Sequence, residues 1–153
     1  MVTNKVYGNS ALTGISGSVT TYTSSAFTAN IGGKAYTIAG VSGGATPTVD
    51  GNTGLANTLT ANHGLVMLWA VNSSGTLKTF ASPVQALDAS GNFSVYPDFA
   101  GVPDSYVPFA YSVHKGGSTL SGTFTFGSSN WNTSGMTHAA VPISELPSRP
   151  QVS

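Results

Sequence analysis

Histidine is the residue type in this chain best suited to proton transfer or metal binding, and it occurs three times. His63, His114 and His138 lie far apart, with neither a His-x-His nor a His-Glu-x-x-His spacing. A zinc site needs three or four ligands at about 2.0–2.3 Å, and no local pair starts one. One histidine from each chain around a threefold axis is the remaining arrangement, but lone histidines are usually ordinary surface or turn residues. The sequence therefore predicts no metal and no cofactor.

A pair of carboxylates is the next arrangement that could do chemistry. Asp98 and Asp104 stand close in the chain, and a glycosidase needs two carboxyl groups about 5–9.5 Å apart. Each aspartate follows a proline, however, and Pro-Asp is typical of the start of a turn. Turns are the better interpretation, and a glycan-active enzyme using these two residues is only a third alternative.

Other catalytic groups are missing or lack their context. Cysteine is absent, which excludes thiol catalysis, thiolate metal sites and disulfides. No G-x-S-x-G elbow stands between a strand and a helix. The segment Asp50–Gly54 is similar to a calcium loop but lacks alternating carboxylates and a closing glutamate, so it indicates a plain loop. The sequence predicts a protein that is not an enzyme.

The chain carries very little charge, with five Lys or Arg against five Asp or Glu in 153 residues. A typical domain is roughly a quarter charged. The basic residues stand singly, so the electrostatic footprint of a nucleic-acid-binding protein is missing. No apolar run approaches the 18 residues of a membrane span, and no signal-type apolar region follows Met1–Lys5. We expect no nucleic acid and no membrane as partners, and a part that sits in an assembly.

The elements that must position these residues are predicted to be β-strands. Runs rich in β-branched and aromatic residues alternate with Gly, Asn, Asp and Ser at spacings of about 8–12 residues, which is typical of a sandwich or barrel. We expect an all-β protein, a single antiparallel β-sandwich or barrel-like domain. The predicted hairpins are 26–31 with 34–41, 65–71 with 76–80, 83–87 with 92–96, and 106–115 with 119–126; 19–23 and 136–143 are further strands.

Two segments have more specific predictions. Leu65–Val71 is a continuous apolar run, which indicates a strand buried on both faces, either central in a sandwich or at a subunit interface. Around Thr53–Asn62, Leu55 and Leu59 stand at i and i+4, which predicts one or two turns of helix.

The ends of the chain lack the strand pattern of the middle. Residues 1–18 are polar and interrupted by glycine, and 142–153 contain several prolines, which cannot donate to a strand ladder. We therefore predict an N-terminal arm (1–18), a β domain (19–141) and an extended C-terminal arm (142–153) that lies along a neighbour. The stretch Gly40–Gly54 is predicted to be a long exposed loop.

Aromatic and arm residues are the candidates for contact with a partner. Trp131 stands between polar runs, where it stacks on a ligand such as a sugar, inserts into a neighbour, or folds back on its own core. Interfaces favour Trp and Tyr because one residue buries a large area and keeps a polar group. The interface or ligand candidates are Trp131, Trp69, Tyr106, Phe109, Pro147 and Arg149.

Several phrases resemble those of small structural virion proteins of tailed bacteriophages, the group of capsid decoration (cement) and head- or tail-fibre proteins. The phrases are Leu59–Gly64, Trp69–Lys78, Pro103–Tyr111 and Phe126–Asn132. The resemblance implies a structural role, often as a homotrimer on the capsid surface. It implies no catalytic residue and does not separate cement from fibre.

The sequence and this resemblance together give one expectation and one rival. We expect a capsid decoration protein, made in the host cytoplasm and located on the virion surface, whose partners are its own copies in a homotrimer and the major capsid protein. The rival is a head- or tail-fibre or receptor-binding module, in which the Gly40–Gly54 loop and Trp131 meet a host surface glycan.

Overall fold

The computed structural model describes residues 4–8 and 10–152, and within these residues the chain is all-β and has no helix. Several antiparallel sheets pack together into a sandwich-like domain, which confirms the predicted fold class. The strands are β1 (Lys5–Tyr7), β2 (Leu12–Thr13), β3 (Thr21–Ser24), β4 (Phe27–Ile31), β5 (Lys34–Ile38), β6 (Val41–Ala45), β7 (Thr58–Leu59), β8 (His63–Asn72), β9 (Leu77–Ala81), β10 (Gln85–Ala86), β11 (Tyr106–Gly116), β12 (Phe124–Thr125) and β13 (Met136–Pro142).

In the part of the chain that the structure describes, the strands form one large sheet and three small ones. The large sheet has the order β10-β8-β11-β13, with β9 also paired to β8. The small sheets are β1-β4-β5, β2-β3-β6 and the pair β12-β7. Every pairing between these strands is antiparallel.

The two longest strands, β8 and β11, form the centre of the large sheet and are buried on both faces. Side chains of β8 alternate between two cores, because successive residues of a strand point to opposite faces. Leu65, Met67, Trp69 and Val71 lie in the first core. Val66, Leu68 and Ala70 lie in the second. The continuous apolar run is thus a central strand, one of the two expected positions.

Different kinds of structure cover the two faces of the large sheet. The small sheets cover the first face with apolar side chains that include Phe27, Ile31 and Ile38. The second face is covered by segments without regular strands, which contribute Phe99 and Val152 among others. One face therefore has a sheet against it, and the other has loops and the end of the chain.

Two of the predicted hairpins form as expected. β4 and β5 meet at Gly32 and Gly33, which have φ values of 60° and 84°. A two-residue turn with both φ values positive suits the twist of a hairpin and favours glycine. β8 and β9 also pair, across a turn that contains Gly75. The hairpin around Asp88 shortens to β10 and a single bridge between Leu87 and Phe93.

The predicted hairpin of 106–115 with 119–126 is wrong. β11 pairs with β8 on one side and with β13 on the other, so neither of its edges is free for 119–126. Only Phe124–Thr125 of that segment is a strand, and it pairs with β7.

The helix predicted within 53–62 is also wrong. Leu59 is buried in β7, whereas Leu55 is 70% exposed, so the two leucines do not share an apolar face.

The described part of residues 1–18 is not a separate arm. β1 pairs with β4 and β2 pairs with β3. Val6, Leu12 and Ile15 are buried in the first core. These strands have only two or three residues, too few to show an alternation in the sequence. Residues 1–3 and 9 lie outside the described residues.

The C-terminal segment 142–153 has no strand after Pro142, but its described residues lie on their own chain. The Gln151 N–H donates to the Tyr111 hydroxyl at 2.9 Å, and the Tyr96 hydroxyl donates to the Pro150 carbonyl. This segment forms part of the cover of the second face, which corrects the expectation of an arm laid along a neighbour.

Deleting residues 147–153 should destabilise the isolated protein without abolishing the fold. The deletion removes Val152 from the second core and the hydrogen bond to Tyr111, which together contribute about 2–3 kcal/mol. Urea unfolding followed by circular dichroism measures this loss. Arg149→Gln is the control, because it keeps the backbone bonds and should cost less than about 1 kcal/mol. An unchanged urea midpoint for the deletion would show that the segment is a free arm.

Candidate functional site

Three of the six candidate contact residues are buried and do not face a partner. Trp69, Phe109 and Trp131 are at most 2% exposed and lie in the first core. Trp131 Nε1 donates to the Thr21 carbonyl at 2.8 Å, and its ring lies against His138. Trp131 is therefore folded back on its own core, and its two binding interpretations are wrong. Its polar sequence neighbours are turn residues.

The other three candidates remain accessible. Tyr106 is half-buried, and Lys78 Nζ lies 5.5 Å from the centre of its ring. Arg149 is exposed and lies 4.8 Å over the Tyr96 ring. Pro147 is half-buried in the C-terminal segment.

An open groove of about 870 Å³ runs along one side of Tyr106. Asp104 and Glu145 also line it, and Asn4 fixes one wall by donating to the carbonyl of Asp104 at 2.7 Å. Asp98 is not among the groove residues, so the two aspartates of the enzyme alternative do not meet there. Glu145 Oε1 forms an ion pair with Lys5 at 2.9 Å.

Most of the positive charge is engaged within the chain. Lys5 is paired with Glu145, and this hydrogen bond and charge raise the pKa of the ammonium group. Three further cations lie over aromatic rings of their own chain: Lys78 over Tyr106, Lys115 over Phe93 and Arg149 over Tyr96. Among the described residues four of the five cations therefore have an internal partner, whereas Asp88, Asp98 and Asp104 are exposed carboxylates. With ten charged residues in all, the surface has little charge with which to attract a charged ligand.

The predicted loop Gly40–Gly54 is instead a strand followed by a rigid turn. Its first part is β6, paired with β3. Asp50 is only 5% exposed and accepts three backbone N–H groups, from Asn52 and Thr53 at 2.9 Å and from Ala81 at 2.7 Å. These bonds use the carboxylate to hold the chain, which supports the interpretation of 50–54 as a loop and not as a calcium site.

This turn displays two large apolar side chains. Val49 is 47% exposed and Leu55 is 70% exposed, the highest value among the exposed large hydrophobic residues. An antiparallel bridge between Val49 and Ala56 closes the turn, and the Asp50 N–H donates to the Leu55 carbonyl at 2.8 Å. We call Val49 and Leu55 the apolar tip. A rigid apolar tip loses little entropy when it is bound.

A chain of hydrogen bonds runs from the inside of the first core to the half-buried His138. Trp69 Nε1 lies 2.7 Å from Ser112 Oγ, and Ser112 Oγ lies 2.5 Å from His114 Nε2. His114 Nδ1 lies 2.6 Å from His138 Nδ1, and His138 Nε2 lies 3.0 Å from the Trp131 carbonyl. We call these five groups the buried chain. Ser112 and His114 are completely buried, so no substrate reaches the serine hydroxyl.

The sequence did not reveal that two of its histidines meet. His114 and His138 stand directly opposite each other in β11 and β13. Both strands were predicted, but their pairing was not, because the sequence favoured 119–126 as the partner of β11. A correct prediction that β11 pairs with β13 would have placed the two histidines opposite each other.

The positions of the hydrogens in the buried chain follow from its two ends. The Trp69 indole N–H can only donate and the Trp131 carbonyl can only accept. His138 Nε2 must therefore carry a hydrogen, so in the neutral ring its Nδ1 accepts from His114 Nδ1–H. His114 Nε2 then accepts from the Ser112 hydroxyl, whose oxygen accepts from Trp69. All four bonds point the same way, and each contains one hydrogen.

Burial keeps both rings neutral. It lowers the pKa of His114 well below 6.5 and, as the main cause, lowers the pKa of His138 to about 4. The gap between the two Nδ1 atoms is too short for a shared metal, since two ligands of one tetrahedral zinc stand roughly 3.3 Å apart. Within the described residues no group of three or more His, Asp or Glu could hold a metal ion.

Comparison of the chain with family models, with curated proteins and with solved structures gives no match. Within the described residues no helix is long and apolar enough to cross a membrane.

Replacing the serine at the centre of the buried chain should be costly. Ser112→Ala leaves Trp69 Nε1 and His114 Nε2 without partners in the core, and we expect a loss of about 2–4 kcal/mol at pH 7.5. Chemical denaturation measures this loss.

Thr79→Val is the matched control for this substitution. Thr79 is also completely buried, but its hydroxyl has no hydrogen-bond partner among the described residues. Its removal should be neutral or slightly stabilising, within about 1 kcal/mol. Equal losses for the two variants would contradict the importance of the buried chain.

Proposed function

We propose that this protein is a non-enzymatic structural protein of a tailed-phage virion, a decoration protein that binds the assembled capsid and stabilises it. A protein that binds only the assembled shell stabilises the shell by its own binding free energy. The resemblance of several sequence phrases to small virion proteins supports this class.

The nature of the exposed surface is the observation that carries the proposal. The chain has ten charged residues, and four of its five cations are engaged with their own chain. Large apolar side chains are exposed instead: Tyr7, Val19, Val49, Leu55, Val84, Val95, Tyr96 and Leu146. Such a surface favours contacts made by apolar burial and hydrogen bonds over contacts made by ion pairs.

A homotrimer belongs to the proposal on the strength of the resemblance and of this exposed apolar surface. The strand Leu65–Val71 does not supply the contact between subunits, because one chain buries it completely. Subunits would instead meet through exposed residues, at the virion surface where we place the protein.

The apolar tip is the part of this surface that we propose contacts the major capsid protein. Leu55→Ser should leave the fold intact, because the side chain is 70% exposed. It should weaken binding to expanded capsid shells about 10-fold or more, since burial of one leucine is worth about 1.5–3 kcal/mol. Co-sedimentation of the purified protein with shells measures the affinity.

Val84→Ser is the matched control, because Val84 is 46% exposed but lies outside the turn. The same assay in about 1 M sodium chloride, where the Debye length is about 3 Å, should show little change in occupancy. Full binding by Leu55→Ser would remove the tip from the contact, and release of the wild type by salt alone would overturn the uncharged interface.

A fibre or receptor-binding module is the second candidate function, and the groove beside Tyr106 is the observation that favours it. The groove combines a tyrosine ring with the carboxylates Asp104 and Glu145, a mixture of apolar and polar groups that suits a sugar ring. The glycan site would lie here and not at Trp131, which is buried. Binding of host surface glycan by the wild type, lost in Tyr106→Ala, together with only a few copies per virion, would favour this function.

A further inference from the structure

The buried chain has as many hydrogens as it has hydrogen bonds. Its four bonds are Trp69–Ser112, Ser112–His114, His114–His138 and His138–Trp131. Its four hydrogens come from the indole, the hydroxyl and the two neutral imidazoles. When both histidines are neutral, every donor of the buried chain therefore has an acceptor within it, and a fifth hydrogen would have none.

Wherever an added proton binds, one donor of the buried chain is left without an acceptor in it. A proton on His138 Nδ1 points at the hydrogen on His114 Nδ1, and the two nitrogens are only 2.6 Å apart. This clash is avoided only if His114 changes tautomer and carries its hydrogen on Nε2. His114 Nε2 carries a hydrogen in that case, and also when the proton binds His114 Nε2 directly. The Ser112 oxygen then accepts from both Trp69 Nε1 and His114 Nε2, and the Ser112 hydrogen has no acceptor in the buried chain. A buried donor left without a partner, or two donors facing each other, strongly destabilises the closed arrangement.

The surroundings offer little to compensate an imidazolium in this core: the bond to the Trp131 carbonyl raises the pKa of His138, but the effect of burial is larger. The rings of Phe124, Phe126 and Trp131 surround the two histidines. Leu65 of β8 stands opposite His114. The other titratable group packed nearby is Tyr22, whose ring lies 5.4 Å from that of Trp69 and whose pKa burial raises, so it stays neutral in acid. Among the described residues no carboxylate shifts the pKa of either histidine, and after burial the charge of His138 is the second cause that lowers the pKa of His114.

Of the strands that carry residues of the buried chain, β13 is the one held least firmly in the sheet. It is an edge strand, hydrogen-bonded to β11 alone in its sheet. His138 lies in its middle, and through Nε2 it also holds the carbonyl of Trp131 in the preceding loop. At its other end, the buried chain consists of Trp69 in β8 and Ser112 and His114 in β11, the two central strands of the sheet, which are buried on both faces. Disrupting the buried chain therefore detaches the edge strand β13 before it affects the central strands β8 and β11.

We propose that the buried chain is an acid-sensitive latch, which keeps β13 and the loop around Trp131 closed while both histidines are neutral and opens them when one proton is added. Opening exposes the outer part of the first core and leaves the centre of the large sheet folded. The latch operates whichever partner the exterior binds.

The direction of the pH dependence follows from the histidine pKa values. Folding lowers both from the ordinary value of 6.5, and that of His138 falls to about 4. The open form therefore binds more protons than the closed form between these values. The closed form is fully favoured above about pH 6.5 and loses stability as the pH falls toward 4.

Amide hydrogen exchange across this pH range tests the latch in the wild-type protein. After correction for intrinsic exchange, the amides of Thr137, Ala139 and Val141, which point toward β11, and that of Trp131 should lose protection at least about 10-fold between pH 7 and pH 4.5. The amides of β8 and β11 should keep theirs. Unchanged protection of β13, or its loss together with β8 and β11, would overturn the proposal.

Nitrogen-15 NMR of the histidine rings in the wild type gives a second test that needs no substitution. At pH 7.5 His114 should carry its hydrogen on Nδ1 and His138 on Nε2. The opposite tautomer at either ring, or a charged ring in a fully protected β13, would contradict the latch.

Two variants complete the design. His138→Gln keeps an acceptor toward His114 and a donor toward Trp131 but does not titrate, so opening should move to lower pH by about one unit or more. His63→Gln is the control, because His63 lies outside the buried chain and its Nδ1 donates to the Ala61 carbonyl; it should open like the wild type. If β13 of a folded His138→Gln variant opened at the same pH as in the wild type, the proposal would be wrong.

Discussion

The need to keep water from both faces of one strand pair governs this structure. β8 and β11 bury nearly every side chain, so the chain must build a cover on each side of them. The small sheets make one cover, and the loops with the C-terminal segment make the other. This need explains why strands of only two or three residues persist near the N-terminus and why the proline-containing end lies on its own domain. Each is held by the apolar surface that it covers.

The same burial decides where the polar groups lie. A polar group inside such a core must find its partner there, and Trp69, Ser112, His114 and His138 do so by joining into one directed chain. Outside, most of the few cations rest on aromatic rings or on Glu145. The exterior carries few charges and is partly apolar, which suits a part of a larger assembly more than a protein that attracts charged ligands.

Much of the fold could be predicted from patterns within short stretches. The apolar run Leu65–Val71 and the Gly32-Gly33 turn indicated a central strand and a hairpin, and both are present. The partner of β11 could not be predicted, because that choice depends on which edges are already occupied. For the same reason the meeting of His114 and His138 was missed. The sequence left Trp131 open between a partner and its own core, because its polar neighbours say nothing about where its ring packs.

The proposed function requires that this weakly charged exterior attach the protein to an assembled capsid. A cryo-electron microscopy map of the native virion tests it most directly. The account predicts density for this fold repeated across the capsid surface, with the Asp50 turn against the major capsid protein and no cluster of ion pairs in the contact. Density confined to fibres, or absence of the protein from the purified virion, would contradict it.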